Sequence, residues 1–295
     1  MPKRGATKRC SSAWACTASK HPVSQNNALM RQQFADAATS YDEAAVLARE
    51  TGARMAQRLD YVKLEPRRVA DIGCATGDGI REMQRRYPDV FPLAVDYARP
   101  MLDAVRSRVP LVERLRRRAP RLVNADVRKL PLAAGSLDLA WSNLMLHWLD
   151  DPLPAFRELH RVLATNGLLM FAMLGPDTLK ELRVAGATTL RRFPDMHDVG
   201  DMLVAAGFAD PVMDMEMITM TYASPRGLLR DQRLLGVRDG LLGTMGFRAA
   251  RGVMRGWQPR DGRFPASFEI VYGHAWKGEP KTADDGRAVI KFQRR

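Results

Sequence analysis

Between residues 69 and 173, short apolar runs alternate with segments of helical periodicity. The runs that predict buried strands are 69–72, 91–95, 122–123, 137–141 and 168–173. Helical spacing of apolar residues covers 77–87, 100–118 with a break near Pro110, and 154–163. This alternation predicts an α/β fold, a parallel sheet covered by helices on both faces. Sheets of this kind bind ligands at the carboxyl ends of their strands.

In the segments that flank this core, strands and helices no longer alternate regularly. One helical stretch, 27–64, precedes the core and is ended by Pro66. After Gly175 the pattern predicts helices over 178–189 and 197–206, a half-exposed strand over 213–222, an arginine-rich helical segment over 225–257 and a last strand over 267–276.

These elements divide the chain into five parts. They are a disordered basic tail over 1–26, a helical cap over 27–64, a ligand-binding core over 65–175, the remainder of the sheet over 176–280 and a C-terminal tail over 281–295. Two insertions in the fourth part, about 176–195 and 224–264, are placed to act as a lid over the strand ends.

The composition argues against several classes of protein. No apolar run approaches the ~20 residues that a membrane-spanning helix needs. The three cysteines cannot form a disulfide framework in a chain of 295 residues, which favours a cytoplasmic protein. The spacing of cysteine and histidine predicts no metal site.

The net charge of +13 is concentrated in three segments. Residues 1–24 hold five basic residues and no acid, residues 105–121 seven arginines against one acid, and residues 226–263 nine arginines against three acids. Basic surface attracts an anionic partner, either nucleic acid or an acidic protein, unless it is only a solvated face. Aromatic residues make up 7% of the chain and no aromatic-basic signature is present, which argues against RNA.

A glycine-rich turn follows the first predicted strand and opens a helix. Its sequence runs from Asp71 to Gly79, with small residues at Gly73, Ala75 and Gly77. Such a turn lets backbone N–H groups approach a ligand closely. The G-x-G-x-x-G pattern of dinucleotide sites fails here, because position 75 is alanine and position 78 is aspartate.

Acidic residues follow three successive predicted strands. Asp71 could accept hydrogen bonds from a ligand amine, Asp96 from ribose hydroxyls and Asp126 from an adenine amino group. Each aspartate alone is typical of a turn. Together they would repel a phosphate-bearing cofactor and favour a cationic nucleoside.

These features resemble the motifs of the class I S-adenosylmethionine-dependent methyltransferases. The matching segments are Asp71-x-Gly73-x-Ala75-x-Gly77, Asp96 with Pro100-Met101-Leu102, Ala125-Asp126-x-x-x-Leu130-Pro131-Leu132, Ser136-Leu137-Asp138-Leu139, and Asn143 with His147-Trp148. The resemblance implies a Rossmann-like fold with a seven-stranded, mostly parallel sheet and a helical lid insertion, and S-adenosylmethionine as the methyl donor without a metal. The cofactor-binding residues that it implies are Asp71, Gly73, Ala75, Gly77, Asp96, Tyr97, Met101, Asp126, Val127 and Asn143.

The flanking segments are similar to the malonyl-acyl-carrier-protein O-methyltransferases of biotin synthesis. The similar segments are 34–45, 174–182, 193–198, 229–236 and 267–272. That family usually has a Gly-Ala-Thr-Asn-like turn in the lid, and the chain departs from it because Gly236 is followed by Val237-Arg238-Asp239. The resemblance implies methylation of the free carboxylate of malonyl-acyl-carrier protein, or of malonyl-CoA, to a methyl ester.

The same resemblance implies residues for the acceptor. Tyr41 would hydrogen-bond the substrate carboxylate as the catalytic positioning residue, or serve only as a core anchor. Arg183 would pair with that carboxylate, or with a surface acid. Arg230, Arg233 and Arg238 would dock the acidic carrier protein, which presents its substrate on a phosphopantetheine arm.

Two other interpretations stay open from the sequence. The methyltransferase-like assembly factor of respiratory complex I, described as modifying an arginine of a partner protein, is similar over the same span. A non-catalytic module that binds RNA with its basic face is the other, although nucleic acid is the less favoured partner. His147 is predicted to be either a catalytic base or, by preference, a packed histidine beside Trp148.

Overall fold

A computed structural model of the chain describes residues 23–115 and 118–279. The strands, in chain order, are β1 Arg68–Ile72, β2 Phe91–Asp96, β3 Arg121–Asn124, β4 Leu137–Asn143, β5 Leu163–Leu174, β6 Ala209–Tyr222 and β7 Phe264–Trp276. The helices are α1 Val23–Ala37, α2 Tyr41–Ala44, α3 Val46–Arg58, α4 Asp78–Arg86, α5 Arg99–Arg108, α6 Leu111–Leu115, α7 Leu153–Val162, α8 Lys180–Val184, α9 Met196–Ala205, α10 Pro225–Leu234, α11 Arg238–Leu242 and α12 Phe247–Gly256.

The seven strands form one sheet in the order β3-β2-β1-β4-β5-β7-β6. The first five strands in this order are parallel to one another, and β7 lies antiparallel between β5 and β6. The prediction of a seven-stranded, mostly parallel sheet is confirmed. The carboxyl ends of β1, β2 and β4 therefore meet at one edge, where the sequence places its candidate ligand-binding residues.

Apolar side chains cover both faces of the central strands. On one face, Trp141 and Met170 pack with Met55 of α3 and with Phe268 of β7. On the other face, Phe171 packs against Phe156 of α7, with their ring centroids 5.6 Å apart. Burial on both faces explains why the strands read as continuous apolar runs in the sequence.

Three predicted helices are shorter or more divided than expected. The stretch 27–64 breaks after Ala37, where the Ser40 hydroxyl donates to the carbonyl of Leu234 at 3.0 Å, a tertiary bond that local periodicity does not encode. The helix predicted over 178–189 covers only α8 and ends before Gly186, which has a φ of +97°. The segment 225–257 forms three helices, separated at Gly236 and Gly243, both with positive φ.

The predicted tails fall mostly outside the described residues. Residues 23–26 of the predicted N-terminal tail form the first turn of α1, while 1–22 and the predicted tail 281–295 lie outside. In the part of the chain that the structure describes, no helix has the length and apolar character to span a membrane.

Candidate functional site

The turn after β1 is shaped by residues in the left-handed region of backbone space. Gly73 and Gly77 have φ values of +75° and +91°, and Ala75 has +44°. The N–H groups of Gly73 and Cys74 both donate to the Val95 carbonyl of β2, at 2.8 and 3.0 Å. A side chain at Gly73 would collide with Met145, so only glycine fits. The turn thus brings bare backbone to the edge of the sheet.

Asp96, at the end of β2, fixes this turn with its carboxylate. One oxygen accepts the N–H of Ala98 at 2.8 Å, and the other accepts the N–H of Ala75 at 3.0 Å. Burial raises the pKa of Asp96 to about 6. Because a carboxylate offers about four lone pairs and the N–H of Tyr97 is a third backbone donor, capacity remains for a ligand hydroxyl.

A cleft opens beside this turn, with about 1250 Å³ of empty space including its mouth. Of the residues predicted to bind the cofactor, those that line it are Gly73, Ala75, Asp96, Tyr97, Met101, Asp126, Val127 and Asn143. Tyr41, the predicted catalytic residue, lines it as well. The structure therefore brings together most of the set predicted from the sequence.

Asp71 and Gly77 do not line the cleft, contrary to the prediction that they bind the cofactor. Asp71 is buried behind the turn and accepts the N–H of Ile80 at the start of α4. Its neighbour Ile72 lines the cleft, and adjacent side chains on a strand point to opposite faces. Gly77 is packed against Val105, 3.0 Å from the position that a Cβ would take. Both residues support the turn from behind.

Hydrogen-bond acceptors dominate the polar side of the cleft. Asp126 pairs with Arg128 at 2.5 Å, and the hydrogen bonds from Arg128 lower the pKa of Asp126. Asn143 donates to the carbonyl of Ala48 at 2.7 Å, while its Oδ1 is buried without a partner among the described residues. These acceptors, with Asp96, suit a ligand that carries hydroxyls and amines, as S-adenosylmethionine does, while Arg128, which also lines the cleft, is paired with Asp126.

The far side of the cleft is apolar, and Tyr41 lies where that side meets the acidic one, packed against Ala98 and Met101. Phe34 of α1 meets Trp148 edge to face at 5.9 Å, and both line the cleft. Burial raises the pKa of Tyr41 above its ordinary value, and the negative charge of nearby Asp96 raises it further. The Tyr41 hydroxyl therefore stays protonated. It can donate a hydrogen bond to an anionic group in the cleft.

His147 lines the cleft and is packed between aromatic rings, as the sequence favoured. Its ring packs against Trp148 at 4.7 Å and Phe193 at 5.4 Å, and Nδ1 accepts the N–H of Leu174 at 3.4 Å. Burial lowers its pKa well below the ordinary value, so the ring is neutral.

Two helices, α10 and α11, cover the apolar side, and we call them the covering helices. They contribute Gln232 and Leu241 to the cleft, and the loop between them contributes Val237. The helix α10 is tied to α2 by the Ser40–Leu234 hydrogen bond and by a 3.9 Å ion pair between Arg230 and Glu43. Helix α2 begins with Tyr41, so these helices meet around the acceptor side of the cleft.

Comparison with known proteins agrees with this geometry. A family described as "Methyltransferase domain" matches residues 70–171. The solved structure of YcgJ from Bacillus subtilis covers 77% of this chain and 98% of its own, with a TM-score of 0.56 at 15% identity. A putative methyltransferase from Bacillus halodurans C-125 covers 77% and 100%, with a TM-score of 0.56 at 16% identity. These likenesses support the class I fold.

Two curated relatives are much closer in sequence. The malonyl-[acyl-carrier protein] O-methyltransferase of Gallionella capsiferriformans is 48% identical over 274 residues, covering 89% of this chain and 94% of the relative. The enzyme of the same name from Laribacter hongkongensis is 47% identical over 285 residues, covering 89% and 94%. The chain belongs to the malonyl-[acyl-carrier protein] O-methyltransferase family. Membership in this family gives no support to the assembly-factor and RNA-binding alternatives.

The arginines predicted to serve the acceptor lie outside the cleft. Arg183 donates to the carbonyl of Pro176 and does not line the cleft, so the prediction that it pairs with the substrate carboxylate is not supported by its position. Arg230, Arg233 and Arg238 are exposed on the covering helices. Arg238 pairs with Asp239 at 2.8 Å.

Two polar residues of the cleft were missed by sequence reasoning. Arg128 lies two residues after Asp126, and this close spacing of opposite charges was a usable signal. Gln232 follows the buried Leu228 by four residues and precedes the cleft residue Leu235 by three. A glutamine in the apolar stripe of a helix marks a polar group that is kept away from solvent.

Proposed function

We propose that the protein transfers a methyl group from S-adenosylmethionine to the free carboxylate of a malonyl thioester carried by acyl carrier protein. This is an early step of biotin synthesis, and malonyl-CoA is the smaller acceptor of the same chemistry. The observation that carries the proposal is a relative 48% identical over 274 residues, whose name states this reaction. The cysteine content supports a cytoplasmic location.

The acceptor-rich side of the cleft is the proposed site of the donor. Asp96 would take the ribose hydroxyls on its remaining lone pairs, and Asp126 would accept from the adenine amino group. Tyr97, Met101 and Val127 would pack against the base. The amine of the methionine moiety would face the backbone of Gly73 and Oδ1 of Asn143, which has no hydrogen-bond partner among the described residues. When bound, S-adenosylmethionine supplies a methyl group on a positively charged sulfur.

The acceptor needs no strong base, because a carboxylate is already ionised at neutral pH. Its oxygen forms the new bond to the methyl carbon, and the electron pair of the broken bond stays on sulfur. Tyr41 would donate a hydrogen bond to the second carboxylate oxygen and so orient the first. The apolar walls at Phe34 and Trp148 exclude water that would otherwise solvate the nucleophile. Alignment of this kind supplies about 7–11 kcal/mol when the geometry is good.

The outer face of the covering helices is the proposed docking surface for the acidic carrier protein. Arg230, Arg233 and Arg238 are exposed there, beside the cleft. Among the ion pairs of the described residues, none involves Arg233. Electrostatic complementarity of this type speeds encounter and orients the partner. In this proposal α10 and α11 act as part of the lid predicted over about 176–195 and 224–264.

The test is transfer of labelled methyl from S-adenosylmethionine to purified malonyl-carrier protein, with acetyl-carrier protein as the matched control. We expect label on the malonyl form alone, and release of that label by mild base as expected for an ester. Equal label on both carrier proteins would contradict the proposed acceptor, because acetyl has no free carboxylate.

A further inference from the structure

Gln232 is a buried polar residue of the cleft to which the proposed chemistry assigns no part. It lies on α10, is 4% exposed and lines the cleft. Its Oε1 is shut off from solvent and has no hydrogen-bond partner among the described residues. A buried carboxamide oxygen without a donor lowers stability. A packing role alone does not account for glutamine at this position, since leucine would fill it without that penalty.

The backbone of Gln232 is satisfied, so the unused capacity belongs to the side chain. Its carbonyl accepts the N–H of Val237 at 2.9 Å, which closes the end of α10. The nearby cleft residues on the covering helices and the loop between them are apolar, namely Leu235, Val237 and Leu241. A polar group on an otherwise apolar wall fixes the orientation of a ligand that is itself mostly apolar at that point.

We propose that Gln232 binds a secondary amide of the thioester-linked arm that carries the malonyl group. This inference rests on the proposed function and identifies the amide of the arm as the part of the acceptor that Gln232 binds. The phosphopantetheine arm carries an amide, with one N–H donor and one C=O acceptor, a short distance from the sulfur. A carboxamide accepts at Oε1 and donates at Nε2, so it matches both groups.

Tyr41 and Gln232 both line the cleft, on helices that contact each other. Tyr41 is the first residue of α2, and Gln232 lies on α10. The Ser40 hydroxyl, one residue before Tyr41, donates to the carbonyl of Leu234 on α10. Tyr41 takes the distal carboxylate. Between the carboxylate and the amide the acceptor has a methylene, the thioester group and two further methylenes, and Leu235 and Phe268 provide an apolar lining for the hydrocarbon part.

The test compares two small acceptors that differ in the amide. One is the malonyl thioester of N-acetylcysteamine, which has an amide two carbons from sulfur. The other is the malonyl thioester of butanethiol, which has none. The variant Gln232→Met keeps the length of the side chain and removes the carboxamide. Gln57→Met, at an exposed position of α3, is the matched control.

We expect Gln232→Met to lower kcat/KM for the amide-bearing thioester by about tenfold. For the butanethiol thioester, kcat/KM should stay within about twofold of wild type, as it should for both acceptors in Gln57→Met. Two further measurements separate substrate recognition from a structural effect. We expect the dissociation constant for S-adenosylmethionine to be unchanged. We expect the thermal midpoint to be equal or higher, because the variant removes an unpaired buried oxygen.

Malonyl-carrier protein is the positive control that separates the two claims. If the wild type does not methylate it, the proposed function is overturned, and this inference with it. If the wild type methylates it, equal loss on both small thioesters or no loss on either overturns the role of Gln232 alone. If the wild type uses neither small thioester, an unchanged kcat/KM of Gln232→Met for malonyl-carrier protein overturns it. A weakened affinity of Gln232→Met for S-adenosylmethionine also overturns it, because the carboxamide would then serve the donor.

Discussion

The carboxylate of Asp96 is the group on which the donor site depends most, so Asp96→Asn is the sharpest perturbation of it. The aspartate holds the N–H groups of Ala75 and Ala98 at once, one on each oxygen. A carboxamide has a single oxygen. In the variant, one of the two backbone donors loses its acceptor and faces an NH2 group, and the negative charge toward the cleft is gone.

The size of the effect follows from the bonds lost. A hydrogen bond from a ligand hydroxyl to a charged group contributes about 1.5–3 kcal/mol, whereas the unpaired backbone donor lowers the stability of the free and the bound protein alike. Since about 1.4 kcal/mol corresponds to tenfold, we expect the dissociation constant for S-adenosylmethionine to rise about ten- to a hundredfold. Stability changes less than affinity, because removal of a buried charge offsets part of the loss.

Titration calorimetry measures this constant directly. Asp103→Asn is the matched control, because Asp103 is an exposed aspartate of α5 that pairs with Arg99. Burial raises the pKa of Asp96 to about 6, so wild type should bind more weakly as the pH falls from neutral through that value. The variant should lack this part of the pH dependence. Affinity within twofold of wild type, or equal loss in the control, would refute the assignment of Asp96.

Further predictions concern the acceptor side and the turn. Tyr41→Phe should lower kcat for malonyl-carrier protein about tenfold in the methyl-transfer assay, with donor affinity unchanged; an unchanged kcat would leave Tyr41 as a core anchor only. Arg233→Glu should raise KM for malonyl-carrier protein but not for malonyl-CoA, measured beside Arg85→Glu on α4; equal effects on both acceptors would contradict docking at α10. In urea unfolding, Gly79→Ala should lose about 1–3 kcal/mol because its Cβ would lie 2.6 Å from Asp71, whereas Gly252→Ala, with open space around it, should gain about 0.5–1 kcal/mol; the reverse order would contradict the packing. Burial raises the pKa of Asp71 from 3.8 to about 7, so its contribution to the free energy of unfolding falls as the pH rises through that window; Asp71→Asn should flatten this fall, and an unchanged slope would exclude Asp71 as its source.

Local pattern was sufficient for the strands and for the acids at their ends. The sequence predicted β1 and β2 to within one residue, because strands buried on both faces are continuous apolar runs. Asp96 ends such a run and Asp126 follows the short, partly exposed β3, so their place at the edge of the sheet could be inferred. The motif did not show that the Asp71 side chain points away from the cleft. Alternation along the strand indicates only that the side chains of Asp71 and Ile72 point to opposite faces of the sheet.

Tertiary contacts decided what the pattern could not. The insertion of β7 between β5 and β6 depends on pairing over long sequence distances, which no local window contains. The break before Tyr41 depends on a bond between Ser40 and α10, nearly two hundred residues later in the chain. Arg183 was expected at the substrate, but the short helix α8 leaves it bound to its own loop through Pro176.

In the proposed reaction the free carboxylate of malonyl-carrier protein receives the methyl group. Fragment mass spectrometry of the carrier protein, after incubation with S-adenosylmethionine and this protein, locates the methyl group. We predict one added methyl group, located on the distal carboxylate of the malonyl arm and absent from acetyl-carrier protein treated in parallel. An unmodified malonyl arm, or a methyl group on a side chain of the carrier protein, would contradict the account.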